Sequence, residues 1–156
     1  IVCTGHFDGS ADPSVNKEDF LFGISKSMKF LCANPDIVVD RGEVRQWCAG
    51  ALAKMYTEMG GESLYFGKPH NAIYDLARMR LAELGTPIDS KKILAIGDGI
   101  GTDIKGANSQ EIDSLFVTGG LAAKETQTSY SPNPEALEKY ITKQKVQCTY
   151  SIGYLR

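Results

Sequence analysis

Apolar residues along the chain keep two different rhythms. Between Lys17 and Cys32, Leu21, Ile24, Met28 and Leu31 recur at helical spacing, with Glu18 and Asp19 favouring the first turn, so the pattern predicts one helix over this stretch. Cys48, Ala51, Leu52, Met55 and Met59 mark the inner face of a second helix, stopped by Gly60-Gly61. Ile1 to Cys3 reads as a short strand. "CANPDIVVDRG" reads as a turn, a short strand over Ile37 to Val39 and another turn.

From residue 62 onward short apolar runs alternate with amphipathic helices. The runs are Leu64 to Phe66, Ile93 to Ile96 and Leu115 to Val117. A helix between the first two places Ile73, Leu76, Ala77, Leu81 and Leu84 inward, and a short one after Ile96 carries Ile104 and Ala107. Asn133 and Pro134 form a cap and first residue for a last helix with Leu137, Tyr140 and Ile141 inward. Val146, Cys148, Tyr150 and Ile152 alternate with polar neighbours, the period of a half-exposed strand. This alternation predicts an α/β fold whose doubly wound parallel sheet is covered on both faces. Residues 62–156 are assigned to that domain and residues 1–61 to a smaller mixed unit.

Composition narrows the function classes. The chain has 156 residues, 42% hydrophobic and 23% charged, with a formal net charge of -2, an ordinary globular balance without a nucleic-acid footprint. No apolar run approaches a membrane span. Cys3, Cys32, Cys48 and Cys148 are scattered, and only His6 and His70 accompany them, so zinc spacing is absent and free thiols in a reducing cytoplasm are expected. The chain begins at Ile1, without methionine and already inside a strand pattern, which leads us to expect a fragment or a processed chain.

In a doubly wound sheet, ligands bind beyond the carboxyl ends of the strands. Three apolar runs end in polar or glycine-rich turns there: Gly67-Lys68, Gly97-Asp98-Gly99 and Thr118-Gly119-Gly120. Right-handed crossovers bring all three to one sheet edge. A lysine at a helix N-terminus opposes the macrodipole, whereas a bound anion there makes lysine and helix amides act together. As a bare tripeptide, Gly67-Lys68-Pro69 is equally well a loop with a solvated lysine. Asp98 leaves an apolar strand, where a carboxylate needs a companion cation. Asp103, at the start of the next helix, serves either that cation or the helix as a cap. His70 reads as an exposed loop residue, and the methionine stripe of Cys48 to Met59 as core. The glycine spacings of a dinucleotide fingerprint, a P-loop and an α/β-hydrolase elbow are all absent, as is an EF-hand loop.

"GKPHNAIYDLA" followed by "ILAIGDGIGTDIKGAN" resembles motifs III and IV of the haloacid dehalogenase-like (HAD) superfamily. The form GKP…GDxxxTDIxGA, with "CANPDIVV" upstream, is similar to the NagD-like, p-nitrophenylphosphatase-like branch, whose α/β cap is inserted between motifs II and III. The resemblance implies a HAD-like, Rossmann-type core half over 62–156 and part of the cap over 1–61. It implies magnesium-dependent phosphoryl transfer through an aspartyl-phosphate, on a small phosphorylated metabolite. Lys68 would be the catalytic lysine that neutralises phosphate and nucleophile. Asp98 would bind the metal, and Asp103 would orient metal-bound water. Asn34, Asp36, Gly67 and Gly99 would contact substrate. A homodimer through the cap is a further implication.

The family's nucleophile comes from a D-x-D motif, and none of the ten aspartates here has another two residues later. "IVCTGHFDG" imitates that context but places His6 at the nucleophile position, so Asp8 is read as a cap-loop residue. Glu111 stands where the branch often has glycine, which bears on how the short helix before it ends. The chain alone is therefore expected to be inactive. The alternatives are a non-catalytic phosphate- or nucleotide-binding module, and a structural α/β unit whose acids only cap helices.

Overall fold

The computed structural model describes residues 1–85 and 88–155. Two compact units divide the chain, Ile1–Lys68 and Pro69–Arg156. In the first, β1 (Val2–Cys3), α1 (Lys17–Ser25), β2 (Lys29–Cys32), β3 (Val38–Arg41), β4 (Val44–Trp47), α2 (Ala49–Glu58) and β5 (Glu62–Tyr65) follow in order. β1, β2 and β5 form a parallel sheet in the order β1-β2-β5, with Cys3 opposite Cys32 and Cys32 opposite Tyr65. β3 and β4 make a separate antiparallel hairpin.

The core of this unit is aromatic. Phe20 meets Phe30 and Tyr56 edge-on, at 5.8 and 5.5 Å between ring centroids, and Phe30 tilts over Tyr56 at 5.3 Å. Tyr56 is fully buried, and its hydroxyl donates to the Met28 carbonyl at 2.6 Å, which satisfies the polar tip.

Here the structure corrects the helix expected over 17–32. α1 ends at Ser25; Ser27 takes a left-handed φ of 54° and the Met28 N–H turns back to the Gly23 carbonyl at 2.9 Å. The next four residues bury Phe30 and Cys32 alternately, a strand period that the helical spacing of Met28 and Leu31 had absorbed. α2 matches its expectation and stops before Gly60, whose φ of 97° suits glycine.

The second unit contains α3 (Asn71–Glu83), β6 (Leu94–Gly97), α4 (Lys105–Ser109), β7 (Asp113–Val117), α5 (Pro134–Gln144) and β8 (Tyr150–Ile152). Its sheet is parallel in the order β6-β7-β8. Ile104, Phe116 and Ala122 are buried at its centre, packed by Ile100, Leu137 and Tyr140, and the Phe116 and Tyr140 rings stack. The Asn133 side chain accepts from Ala136 N at 3.0 Å, the cap expected before Pro134.

Three expectations change in this unit. α3 buries no residue: Ile73, Leu76 and Ala77 are exposed and Leu84 is 86% exposed, while Tyr74, Arg78 and Leu81 are half-buried. Tyr74 sets this rotation, because its ring and hydroxyl lie against Gly106 of α4, where a Cβ would overlap them. β6 is an outer strand among the described residues, and Leu94 and Ile96, two residues apart on one of its faces, are 44% and 51% exposed where full cover was expected. The alternating C-terminal stretch forms a strand only over Tyr150–Ile152.

Candidate functional site

β5 belongs to the first unit's sheet, so the three glycine-rich turns do not share one sheet edge. Gly67-Lys68 follows β5, with Gly67 at a φ of 102° and exposed Lys68 as the last residue of the first unit. The turns after β6 and β7 do lie together, at the carboxyl edge of the second sheet, with Gly97 in register with Phe116.

That edge is built around two half-buried carboxylates. Asp98 is the first residue beyond β6, and its Oδ2 accepts from the Leu121 N–H at 3.3 Å. Gly120 lies so close to it that a Cβ there would overlap Oδ2. Asp103 sits in a wide turn over Ile100–Ile104, in which both Asp103 N (2.8 Å) and Ile104 N (3.1 Å) return to the Gly99 carbonyl. The second of these is the i→i+5 bond of a π-type turn, a local expansion often found where a backbone is re-aimed at a site. The Asp103 Oδ2 accepts from the Gly99 N–H at 3.0 Å. It therefore holds the turn behind it. A Cβ at Gly97 would overlap the Asp103 carboxyl, and one at Gly99 would overlap the Thr102 hydroxyl. These glycines are bare because carboxylates and a hydroxyl occupy the space.

Asp98 and Asp103 offer carboxylate oxygens, the hard donors a magnesium ion takes. Among the described residues no group of three or more His, Cys, Asp and Glu side chains is gathered to hold a metal. Two carboxylates still fit magnesium, which keeps waters and substrate phosphate as its remaining ligands. The same donor set is unsuited to a soft metal.

In the first unit, Asn34 and Asp36 line a cavity of about 580 Å³ with His6, Arg41, Trp47 and Cys48. The loop that carries them is fixed by its own backbone. Gly50 N donates to the Asp36 carbonyl at 3.1 Å, and Cys48 N to the Ile37 carbonyl at 2.9 Å. A side chain at Gly50 would strike the Pro35 carbonyl. Arg41 and Trp47 were missed as candidates because the β3–β4 hairpin was read as a strand and a turn, and Val44 to Trp47 carries no period-2 alternation to mark its second strand. Asp8 takes a turn role, with its Oδ1 accepting from Ser10 N at 2.9 Å, while its own N–H donates to His6 Nδ1.

A family model described as HAD-hydrolase-like matches residues 65–143, about half of the chain and the stretch holding Lys68, Asp98 and Asp103. The chain belongs to the HAD-hydrolase-like family. A haloacid dehalogenase-like hydrolase of Brucella suis 1330 is 36% identical, with a TM-score of 0.79 over 99% of this chain and 55% of its own. The 5′-nucleotidase YutF of Bacillus subtilis is 30% identical over 127 residues, 79% of this chain and 48% of its own length. A p-nitrophenyl phosphatase of Archaeoglobus fulgidus has a TM-score of 0.66 at 17% identity, over 97% of this chain and 52% of its own, which speaks for the HAD fold alone. The chain thus spans about half the length of each of these relatives. No described helix of this HAD chain is long and apolar enough to cross a membrane.

Proposed function

We propose that this chain supplies the metal-binding and phosphate-neutralising part of a magnesium-dependent HAD phosphatase acting on a small phosphorylated metabolite. The observation that carries the reading is the pair of carboxylates at the carboxyl edge of β6, each held by a backbone N–H and each seated on glycine. Hydrogen-bonded carboxylates of this kind are pre-oriented, so a cation meets them with little rearrangement. When bound, magnesium would polarise a phosphoryl oxygen and offset the charge that gathers there. Asp98 is assigned as its direct ligand and Asp103 as the residue orienting its water. Lys68 is assigned to the phosphate and to an attacking carboxylate, and Gly67 and Gly99 to substrate through their backbones. Asn34 and Asp36, with Arg41 and Trp47 beside them, are assigned to recognition of the leaving group, as part of a cap over residues 1–61.

The aspartate nucleophile of the aspartyl-phosphate route is assigned to a D-x-D motif outside these 156 residues. The chain alone then positions phosphate but cannot attack it. The name of the 30% identical relative, a 5′-nucleotidase, supports phosphomonoesters, nucleotides among them, as the substrate class. Four free cysteines support a reducing cytoplasm, and a homodimer through the first unit completes the proposal. The test is hydrolysis of p-nitrophenyl phosphate by this chain joined to a D-x-D-bearing N-terminal half from a relative. Magnesium-dependent turnover that Asp98→Asn abolishes is expected, with none from the chain alone. Undiminished turnover in Asp98→Asn would remove the metal assignment. A second reading, phosphate binding without catalysis, predicts phosphate affinity but no turnover in the joined protein.

A further inference from the structure

The segment after β7 folds back over the sheet edge and presents Gly120 and Leu121 to Asp98. Inside it lies a cluster of hydroxyls that the proposed chemistry does not use. Thr118 and Thr126 are fully buried and Thr128 is half-buried. Thr128 Oγ1 donates to Thr118 Oγ1 at 2.8 Å, and Thr118 Oγ1 donates to the Ile152 carbonyl at 3.1 Å. Thr126 Oγ1 lies 2.7 Å from Thr128 Oγ1 and 2.8 Å from the Ala122 carbonyl.

Thr126 Oγ1 donates to the Ala122 carbonyl, which also accepts the Thr126 backbone N–H at 2.9 Å. Three hydroxyl hydrogens are shared over four short contacts, from Ala122 through Thr126, Thr128 and Thr118 to Ile152. The result is one connected cluster whose members polarise one another. It ties the far end of the segment to its start at β7 and to the neighbouring strand β8. Leu121 and Gly120 lie on the stretch thus closed.

We propose that this hydroxyl cluster is a positioning device for the Asp98 carboxylate. It fixes the 119–128 segment so that the Leu121 N–H and the bare Gly120 backbone hold Asp98 in the orientation a divalent cation requires. Thr118, Thr126 and Thr128 are positioning residues that act through Leu121 and Asp98. The metal half of this inference rests on the function proposed above; the loop half stands on the geometry alone.

The test compares wild type, Thr128→Val and Thr128→Ser. Valine keeps the shape and removes the hydroxyl; serine keeps the hydroxyl and removes the methyl. Thr128 is chosen because it is only half-buried; if its valine variant does not fold, Thr128→Ala replaces it. Two readouts are taken on the 156-residue chain: hydrogen exchange at the Leu121 amide by NMR, and manganese binding by electron paramagnetic resonance of the free ion. Loss of one link is expected to speed Leu121 exchange about tenfold and weaken manganese binding about tenfold, as one hydrogen bond implies. Serine is expected to restore both to within about twofold. Unchanged Leu121 exchange in a folded Thr128→Val chain, or failure of serine to restore it, overturns the proposal. Faster Leu121 exchange with unchanged manganese affinity overturns the link to Asp98. A wild type that binds no manganese, with Leu121 exchange still responding, refutes the metal assignment and upholds the loop device.

Discussion

Gly97 is the sharpest structural test of the carboxylate edge. The nearest neighbours of a Cβ added there are the Cγ, Oδ2 and Cβ of Asp103, all close enough to force a shift. Gly97→Ala must push Asp103 away, at an overpacking cost of about 1–3 kcal/mol. The Asp103 bond to Gly99 N–H is then lost or stretched. A charge-assisted bond contributes about 1.5–3 kcal/mol when buried, and roughly 1 kcal/mol for a half-buried carboxylate such as this one. Gly97→Ala is therefore expected to destabilise the second unit by about 2–4 kcal/mol. In an Asp103→Gly background all three offending atoms are gone. The same substitution should then be neutral, or stabilise by about 0.5–1 kcal/mol, because glycine is a poor strand residue. Urea denaturation of the four chains closes the cycle, with an expected coupling of about 2–5 kcal/mol. Additivity within about 0.5 kcal/mol would refute the packing of Asp103 on Gly97 and the reason given for the glycine.

Three further expectations follow from single residues. Glu111 ends α4 at a left-handed φ of 54°, so Glu111→Gly should stabilise by about 0.5–1 kcal/mol, the steric relief less the entropy of glycine, read as a higher urea midpoint. Burial pushes the Cys32 thiol up to about 11, so iodoacetamide at neutral pH should leave it unlabelled in the folded chain and label it only in denaturant, as intact mass and peptide mapping will show. Asp40 is held below its ordinary value by hydrogen bonds from Arg45, at 2.8 and 2.9 Å across the β3–β4 hairpin. Its small contribution is thus present above about pH 4 and lost as pH falls below it, and hairpin amide exchange should quicken over that acid range but not in Asp40→Asn.

Much of this was legible in the sequence, for identifiable reasons. The strand–turn–helix punctuation of Ile93 to Asn108 placed β6, the glycines and both acids, because apolar run, bare turn and helix start each leave a local mark. The Asn133-Pro134 cap and the Gly60 stop were local in the same way. The end of α1 was not legible, since Ser27 takes a left-handed conformation that its identity does not announce, and Leu31 fits both periods. The partition between sheets was also hidden. Leu64 to Phe66 is an apolar run like the others, and only the pairing of Glu62–Tyr65 with Lys29–Cys32 assigns that strand to the first unit. The exposed face of α3 escaped because apolarity predicted burial, whereas the fit of Tyr74 against Gly106 sets the rotation. The role of Asp103 was half-legible: its position gave two readings, and the bond to Gly99 N–H shows that it holds the turn.

Asp98 is proposed to hold a divalent cation at the edge of the β6-β7-β8 sheet. Titration of the 156-residue chain with manganese in the presence of inorganic phosphate, followed by the paramagnetic resonance of the free ion, tests it most directly. Saturable binding is expected, abolished by Asp98→Asn while stability in urea stays within about 1 kcal/mol of wild type, as expected for loss of one surface-edge hydrogen bond. Equal manganese binding by Asp98→Asn and wild type would contradict it.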